Sequence, residues 1–262
     1  MSSTPAHPPG HLSRWRAEPM GPHARTLVFD LDGTLVDTLP DLMGALNETL
    51  RGAGYRRIAA TEVLHCLHDG LPAMLEGALA AAGDGAAPPD RIALLADEYM
   101  NRYAGRLTRE SRAYPGVTAA LEWHVRRGAR LAVCSNKTEA LATRLLDELG
   151  LGRFFRAVVG ADTCAERKPS PMPLLHAISI AGGTAAEAAL IGDSRVDLEC
   201  ARAAGVHCLL FAGGYGRLAA NEPGAGAVFD DWTALHGSRL LDAVAQAGCA
   251  PGRLAAQSLN KV

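Results

Sequence analysis

The stretch VFDLDGTLVD, residues 28–37, decides how the rest of the chain is interpreted. It begins with apolar residues typical of a buried strand and then presents two carboxylates, Asp30 and Asp32, followed at once by Gly33 and Thr34. Glycine has no Cβ, so Gly33 allows a sharp backbone turn behind the acids. Taken alone, the pattern is compatible with a tight turn or a helix cap. At the end of a strand, it predicts a functional site at the edge of a sheet.

Short apolar runs recur along the chain and predict further strands. They are continuous rather than alternating, which is typical of a parallel sheet covered on both faces. Helical patterns at 115–127, 138–150 and 197–205 separate them. This alternation predicts an α/β fold with a doubly wound parallel sheet. The predicted strands are 25–29, 129–134, 157–160, 188–191 and 206–211.

Residues 38–113 interrupt this alternation. Three segments, 41–54, 62–83 and 90–107, carry apolar residues at three- and four-residue spacing and no strand signal. We therefore predict an inserted all-helical cap domain over 38–113, with the core formed by 24–37 and 114–240. The first 23 residues are rich in Pro, Gly, Ser and His and lack the apolar centre of a signal peptide, so we predict a disordered tail over 1–23. Residues 241–262 are expected to form a C-terminal extension.

The composition limits the classes of partner. With 262 residues, 21% of them charged, and a net charge of −2, the chain lacks the basic character expected for binding nucleic acid or an anionic membrane. No run approaches the about 18 consecutive apolar residues of a membrane span. The six cysteines show no metal-ligand spacing, which favours reduced thiols in the cytoplasm. We expect a monomer or a homodimer.

Polar residues follow several of the predicted strands. Because the carboxyl ends of parallel strands open at one edge of a sheet, we expect these side chains to meet there. The set combines two acidic pairs with a hydroxyl, an amide and an ammonium. Its members are Asp30, Asp32, Ser135, Asn136, Lys168, Asp193 and Asp197.

Phosphoryl transfer needs these groups. Mg²⁺ held by Asp30 and Asp193 would reduce the repulsion between a phosphate ester and an anionic nucleophile. Asp30 can attack phosphorus to form an aspartyl-phosphate, and Asp32 can protonate the leaving alkoxide and later deprotonate water. Ser135 and Lys168 can hold phosphate oxygens and balance charge. The residues therefore predict a Mg²⁺-dependent phosphomonoester hydrolase.

Lysine is scarce in this chain, since only Lys137, Lys168 and Lys261 are found among its 26 basic residues. A lysine directly before Pro169 in such an arginine-rich chain indicates a specific role rather than surface charge, and we assign it to the site. Lys137 is interpreted as a solvated residue. Asp197, one helical turn after Asp193, is interpreted as a residue that orients the site rather than as a metal ligand.

Four motifs resemble, in order, those of the haloacid dehalogenase superfamily of phosphatases. They are DLDGTLVD at 30–37, SN at 135–136, KP at 168–169 and GDSRVD at 192–197. The insertion resembles the helical type-1 cap of that family, and PGV, SNK and GGYG at 115–117, 135–137 and 213–216 are similar to phosphoglycolate phosphatases. Two stretches depart from that subfamily: LHDG at 67–70 replaces its VGxG, and GGYG replaces a longer GYNYG-like run.

The resemblance implies a Rossmann-like core and a role for each matching residue. Asp30 would be the nucleophile and Asp32 the acid/base. Ser135, Asn136 and Lys168 would bind phosphate. Mg²⁺ would be bound by Asp30, the backbone carbonyl of Asp32 and Asp193. Residues that support these groups would be Gly33, Thr34, Ser194 and Asp197.

The cap is expected to select the substrate, because the core loops can bind only phosphate and metal. The stretch 65–72 can dip toward the core, and a small carboxylated substrate such as 2-phosphoglycolate would meet His68 and the backbone near Gly70. A sugar-phosphate phosphatase and a β-phosphoglucomutase-like phosphotransferase remain alternatives. From another class, a phosphoacceptor signalling module or a binding module is also open. The absence of lysine from the predicted cap argues against a phosphonatase.

Overall fold

The computed structural model describes residues 26–235, with the exception of 68–69, 84, 86, 217 and 220–221. The predicted tail at 1–23, the extension at 241–262 and His68 therefore lie outside the described residues.

A parallel sheet forms the centre of the described chain and confirms the predicted fold class. Six strands pair in the order β5-β4-β1-β6-β7-β8. The last strand was not predicted, because an apolar run of three residues gives little signal. The strands are β1 (Thr26–Phe29), β4 (Arg130–Cys134), β5 (Ala157–Val159), β6 (Ala188–Gly192), β7 (His207–Phe211) and β8 (Ala227–Phe229).

The central strand β1 is buried on both faces, as its continuous apolar sequence predicts. Leu27 and Phe29 belong to one hydrophobic core, and Val28 belongs to a second core on the opposite face. This division follows from the alternation of side chains along a strand. The sheet therefore separates two apolar layers.

Four helices cover the two faces of the sheet. Helices α6 and α7 pack on the face to which Val28 points, and α4 and α5 pack on the other face. Helix α7 begins at Arg195, two residues before the predicted start, because Ser194 caps it. These helices are α4 (Val117–Arg126), α5 (Glu139–Glu148), α6 (Met172–Ile180) and α7 (Arg195–Ala204).

The insertion between β1 and β4 contains three further helices, α1 (Leu39–Gly52), α2 (Leu71–Ala81) and α3 (Pro89–Ala104). Helices α1 and α2 both pack against α3. The expected break of the helical pattern at 70–72 is found, but the helix-like pattern assigned to the first third of 62–83 is wrong. That part forms 3₁₀ turns, Ala60–Glu62 and Leu64–Cys66, and α2 starts only after Gly70, whose φ of 102° lies outside the helical range.

Two short strands connect the insertion to the core. β2 (Val36–Asp37) pairs antiparallel with β3 (Arg112–Ala113), and the backbone N–H of Tyr114 donates to the carbonyl of Leu35 at 3.1 Å. Two residues per strand give no period, so the sequence did not reveal this ribbon. It holds the entrance and the exit of the insertion side by side. Among the described helices, none has the length and apolar character needed to cross a membrane.

Candidate active site

The carboxyl edge of the sheet brings the predicted core residues together. Backbone hydrogen bonds extend the sheet beyond two strand ends, from Asp30 N to Ile191 O at 2.8 Å and from Ser135 N to Val159 O at 2.9 Å. The loops that carry the acid and the hydroxyl are therefore fixed by the same pairing that builds the sheet.

Three buried carboxylates, those of Asp30, Asp193 and Asp197, have oxygen atoms within 4.8 Å of one another. Burial raises the pKa of Asp30 to about 6, and the charges of Asp197 and Asp32 act in the same direction against the opposing effect of Lys168. Burial and the charges of Asp30 and Asp197 hold the pKa of Asp193 well above its usual range. Such a cluster stores electrostatic repulsion that a cation would relieve.

Lys168 supplies positive charge to this cluster. Its Nζ lies 2.9 Å from Asp30 Oδ1 and 2.6 Å from Asp197 Oδ1, and the residue is buried. Burial alone would lower the pKa of Lys168, but the carboxylates of Asp197 and Asp30 hold it well above its usual range. The side-chain amide of Asn136 donates to the Lys168 carbonyl at 3.0 Å, so this residue positions the lysine loop.

Asp197 is already occupied by protein donors. Its Oδ2 accepts from Ser194 Oγ at 2.6 Å and from the backbone N–H groups of Ser194 and Asp193 at 3.2 and 3.3 Å. Ser194 Oγ in turn accepts from the Asp197 N–H at the start of α7, which forms a capping box. With Lys168 on Oδ1, both oxygens of Asp197 are used to orient neighbouring groups.

Asp193 is held from two sides. Thr34 Oγ1 donates to its Oδ1 at 2.9 Å, and the backbone N–H of Tyr215 donates to its Oδ2 at 2.7 Å. Gly33 has a φ of 81°, and a Cβ there would lie 2.6 Å from Asp193 Oδ2. A glycine is thus required at position 33 by the positive φ and by the close approach of the backbone to this carboxylate.

The donor set fits a hard divalent cation. Asp30 and Asp193 present carboxylate oxygens in a buried site, and Mg²⁺ prefers oxygen ligands. Asp30 Oδ2 accepts no hydrogen bond from the part of the chain that the structure describes. Asp197 completes the acidic cluster, but its Oδ2 accepts three hydrogen bonds and its Oδ1 contacts Lys168. Each oxygen of Asp193 accepts one hydrogen bond, so Asp30 and Asp193 are the carboxylates with free lone pairs for a metal.

Asp32 lies apart from this cluster, toward the insertion. Thr38 Oγ1 donates to its Oδ1 at 2.7 Å, and Lys137 Nζ lies 3.0 Å from its Oδ2. The prediction that Lys137 is solvated is therefore wrong, because its side chain is only 6% exposed and also donates to Tyr103 Oη of α3 at 2.8 Å. The scarcity of lysine, which pointed to Lys168, applied equally to Lys137.

Tyr215, within GGYG, links the core to the insertion. Its hydroxyl accepts from the backbone N–H groups of Thr38 and Leu39 at 2.7 and 2.8 Å and donates to Asp37 Oδ1 at 2.8 Å. It thereby caps the start of α1, where Thr38 makes no side-chain cap of its own. The motif was noted in the sequence, but this role was not predicted.

The part of the insertion expected to contact substrate approaches the lysine loop. A Cβ at Gly70 would lie 2.9 Å from Nη1 of Arg167, the residue before Lys168. The stretch around Gly70 therefore does reach the core edge, while His68 lies outside the described residues. Sequence reasoning did not single out Arg167.

Comparison with known proteins identifies the family. The model of the family "Haloacid dehalogenase-like hydrolase" matches residues 27–211. The chain is 39% identical over 210 residues to the phosphoglycolate phosphatase of Pseudomonas syringae pv. syringae, which covers 79% of this chain and 76% of that protein.

Solved structures agree with this match. A predicted phosphoglycolate phosphatase from Haemophilus somnus is similar with a TM-score of 0.73 and 26% identity, over 79% of this chain and 94% of that one. A CbbY variant from Rhodobacter sphaeroides in complex with xylulose-(1,5)-bisphosphate is similar with a TM-score of 0.69 and 26% identity, over 83% and 99% of the two chains. The chain belongs to the haloacid dehalogenase-like hydrolase family and is one of its phosphatases.

Proposed function

We propose that this phosphatase hydrolyses 2-phosphoglycolate with Mg²⁺ through an aspartyl-phosphate intermediate. The observation that carries the mechanism is the separation of two neighbouring acids. Asp30 lies in the buried cluster with Lys168 and Asp193, whereas Asp32 is held by Thr38 and Lys137 beside the insertion. Two carboxylates two residues apart in sequence thus have environments suited to different tasks.

Asp30, Asp193 and the backbone carbonyl of Asp32 would hold Mg²⁺. When bound, the ion supplies positive charge that offsets the repulsion between the phosphate and Asp30. Support comes from the buried acidic cluster and from the raised pKa of Asp30, which a bound cation would lower.

The chemistry follows from the positions of the two acids. A carboxylate oxygen of Asp30 attacks phosphorus, and the bond from phosphorus to the ester oxygen breaks. The leaving alkoxide takes a proton from Asp32. Water then attacks the phosphorus of the aspartyl-phosphate and passes a proton to Asp32, while the Asp30 carboxylate leaves and inorganic phosphate forms.

Phosphate oxygens are expected at Ser135 and Lys168. Ser135 Oγ is buried at the end of β4, and it accepts from the Lys137 backbone N–H at 3.3 Å. Lys168 Nζ lies between Asp30 and Asp197, so its charge is close to the attacked phosphorus. Asn136, which is also expected to bind phosphate, donates to the Lys168 carbonyl and so supports this arrangement.

The substrate assignment rests on relatives named phosphoglycolate phosphatase at 36–41% identity. The insertion approaches the core beside the site at Gly70, which lies next to Arg167, and at Tyr103, which binds Lys137. We also propose the cytoplasm as the working compartment, because the described cysteines are free thiols.

A sugar phosphate is the second candidate substrate. The observation that favours it is the similarity to CbbY, whose solved complex contains xylulose-(1,5)-bisphosphate. That protein is 26% identical to this chain, and the match covers 83% of this chain.

Release of inorganic phosphate from a panel of substrates tests the proposal. We expect the highest kcat/KM for 2-phosphoglycolate, lower values for hexose and pentose phosphates, and loss of all activity in EDTA with recovery in Mg²⁺. A preference of tenfold or more for a sugar phosphate, about 1.4 kcal/mol of transition-state discrimination, would contradict the substrate assignment. Full activity in EDTA would contradict the metal assignment.

A further inference from the structure

Lys137 is a buried cation to which the proposed reaction gives no contact with the substrate. Its side chain is 6% exposed, and it lies where the core meets the insertion. The ammonium contacts Asp32 Oδ2 at 3.0 Å and Tyr103 Oη at 2.8 Å, and it also lies 4.6 Å from the centre of the Tyr103 ring. Burial of a lysine is costly unless its charge is paired and its N–H groups are hydrogen-bonded.

The ammonium has a donor to spare. A lysine has three N–H donors, and two are accounted for by Asp32 and Tyr103. Among residues 26–235 as far as they are described, no third acceptor lies within hydrogen-bonding distance of this nitrogen. One N–H at the boundary between core and insertion is therefore open to a ligand.

The proposed role of Asp32 indicates which part of the substrate would meet this N–H group. If Asp32 protonates the leaving oxygen, that oxygen must come within hydrogen-bonding reach of its carboxylate. The ammonium is 3.0 Å from the same carboxylate, so the leaving group arrives beside Lys137. In 2-phosphoglycolate the carboxylate carbon is only two bonds from the leaving oxygen, which places an anion next to a cation.

We propose that Lys137 binds the carboxylate of the leaving group and thereby selects phosphate esters of small hydroxy acids. The inference rests on the proposed function and deepens it. Lys137 acts from the core, so this selection differs from the cap contacts expected of His68 and Gly70. Tyr103 of α3 fixes the ammonium from the insertion side, and specificity therefore depends on the insertion being closed over the site.

A matched pair of substrates isolates the carboxylate. Ethyl phosphate has the carbon skeleton of 2-phosphoglycolate with a methyl group in place of the carboxylate. We expect Lys137→Met to lower kcat/KM for 2-phosphoglycolate by about 10- to 100-fold more than for ethyl phosphate, the range of one lost hydrogen bond to a charged group. Equal losses on the two substrates would overturn the proposal, since they would indicate that Lys137 only positions Asp32.

The binding of ligands that cannot be hydrolysed provides a second test. 3-Phosphonopropionate and propylphosphonate are uncleavable counterparts of the two substrates, and their dissociation constants can be measured by calorimetry with Mg²⁺ present. Wild type should bind the carboxylated compound more tightly, and Lys137→Met should remove that preference. A preference that survives the substitution would overturn the proposal.

Two further variants separate the alternatives. Lys137→Gln keeps N–H donors for Tyr103 and Asp32 while removing the charge, so it should show the same selective loss even if Lys137→Met folds poorly. Arg167→Met removes a different cation, one that lies near Gly70, and should leave the substrate ratio unchanged. If the selective loss follows Arg167 instead, the proposal is wrong.

Different results would refute the proposed substrate and the proposed role of Lys137. A wild-type enzyme that does not prefer 2-phosphoglycolate over sugar phosphates refutes the substrate assignment. A wild-type enzyme that prefers it, but whose Lys137 variants keep the preference over ethyl phosphate, refutes only the role of Lys137.

Discussion

Lys168 is the residue on which the charge balance of the site depends. Three buried carboxylates lie close together at the edge of the sheet, and Lys168 contacts two of them, Asp30 and Asp197. Burial is the main reason that the pKa of Asp30 is raised. The charge of Lys168 opposes this effect and favours the ionised carboxylate that is needed for attack.

Replacement of Lys168 should therefore affect both stability and rate. Lys168→Met leaves Asp30 and Asp197 without their cation, and loss of one member of a buried ion pair costs about 3–5 kcal/mol. Lys168→Arg should not restore activity, because a planar guanidinium is broader than the ammonium between two carboxylates. Urea unfolding and kcat measure the two effects, and near-normal turnover by the arginine variant would contradict the account.

Asp32→Asn tests the acid/base role without disturbing the buried cluster. Asparagine retains an acceptor for Thr38 but cannot carry a proton to the leaving group. We expect kcat to fall by about 10²- to 10⁴-fold with little change in the Mg²⁺ concentration needed for half-maximal activity, since the expected metal contact is a backbone carbonyl. Turnover close to that of wild type would refute the assignment.

Within the insertion, α1 is tied to the chain that returns to the core. Asp41, in the first turn of α1, accepts from the backbone N–H groups of Glu110 and Ser111, from Ser111 Oγ and from Arg106 Nε. Burial would raise the pKa of Asp41, but these hydrogen bonds together lower it below its ordinary value of 3.8. The ionised carboxylate thus joins two distant segments.

The stabilising effect of Asp41 should depend on pH. Since its folded-state pKa is lowered, its contribution is complete above pH 3.8 and is lost as the pH falls through the folded value. We expect Asp41→Asn to lower the free energy of unfolding by about 1–3 kcal/mol at neutral pH and by clearly less at about pH 3. Urea titrations of both proteins at the two pH values provide the test, and a difference independent of pH would contradict it.

The elements differ in how well the sequence predicts them. β1 and β6 are continuous apolar runs long enough to be recognised, and their ends place the acids correctly. β8 has three residues and the β2–β3 ribbon has two per strand, so neither contains a usable period. The turn region before α2 was predicted as helix because its apolar spacing is helical, while the backbone at Gly70 ends that pattern.

Across the whole molecule, Tyr215 connects the loop that carries Asp193 with the insertion. Its backbone N–H binds Asp193, and its hydroxyl binds Asp37 and the start of α1. One residue of the core therefore holds both an expected metal ligand and the first helix of the insertion.

Tyr215→Phe separates these two contacts. The backbone bond to Asp193 remains, but the N–H groups of Thr38 and Leu39 lose their acceptor, which costs about 1–3 kcal/mol for buried groups. We expect lower stability in urea with an unchanged Mg²⁺ requirement. An altered Mg²⁺ requirement, or unchanged stability, would show that the hydroxyl does not act as described.

Contacts between residues that are far apart in the sequence could be predicted for only part of the site. The motifs predicted that Asp30, Lys168, Asp193 and Asp197 meet, because parallel strands share one edge. Lys137 was misjudged because its partners, Asp32 and Tyr103, come from opposite sides of the boundary between core and insertion, and no local pattern shows how the insertion folds back.

The most direct test of the account is the detection of phosphorylated Asp30 during turnover. Wild-type protein mixed with 2-phosphoglycolate and Mg²⁺ is quenched in acid, digested and analysed by mass spectrometry, with Asp30→Asn as the control. We expect one added phosphoryl group on the peptide that contains Asp30, and neither modification nor turnover in the variant. Phosphate release by Asp30→Asn, or a phosphoryl group on another residue, would contradict it.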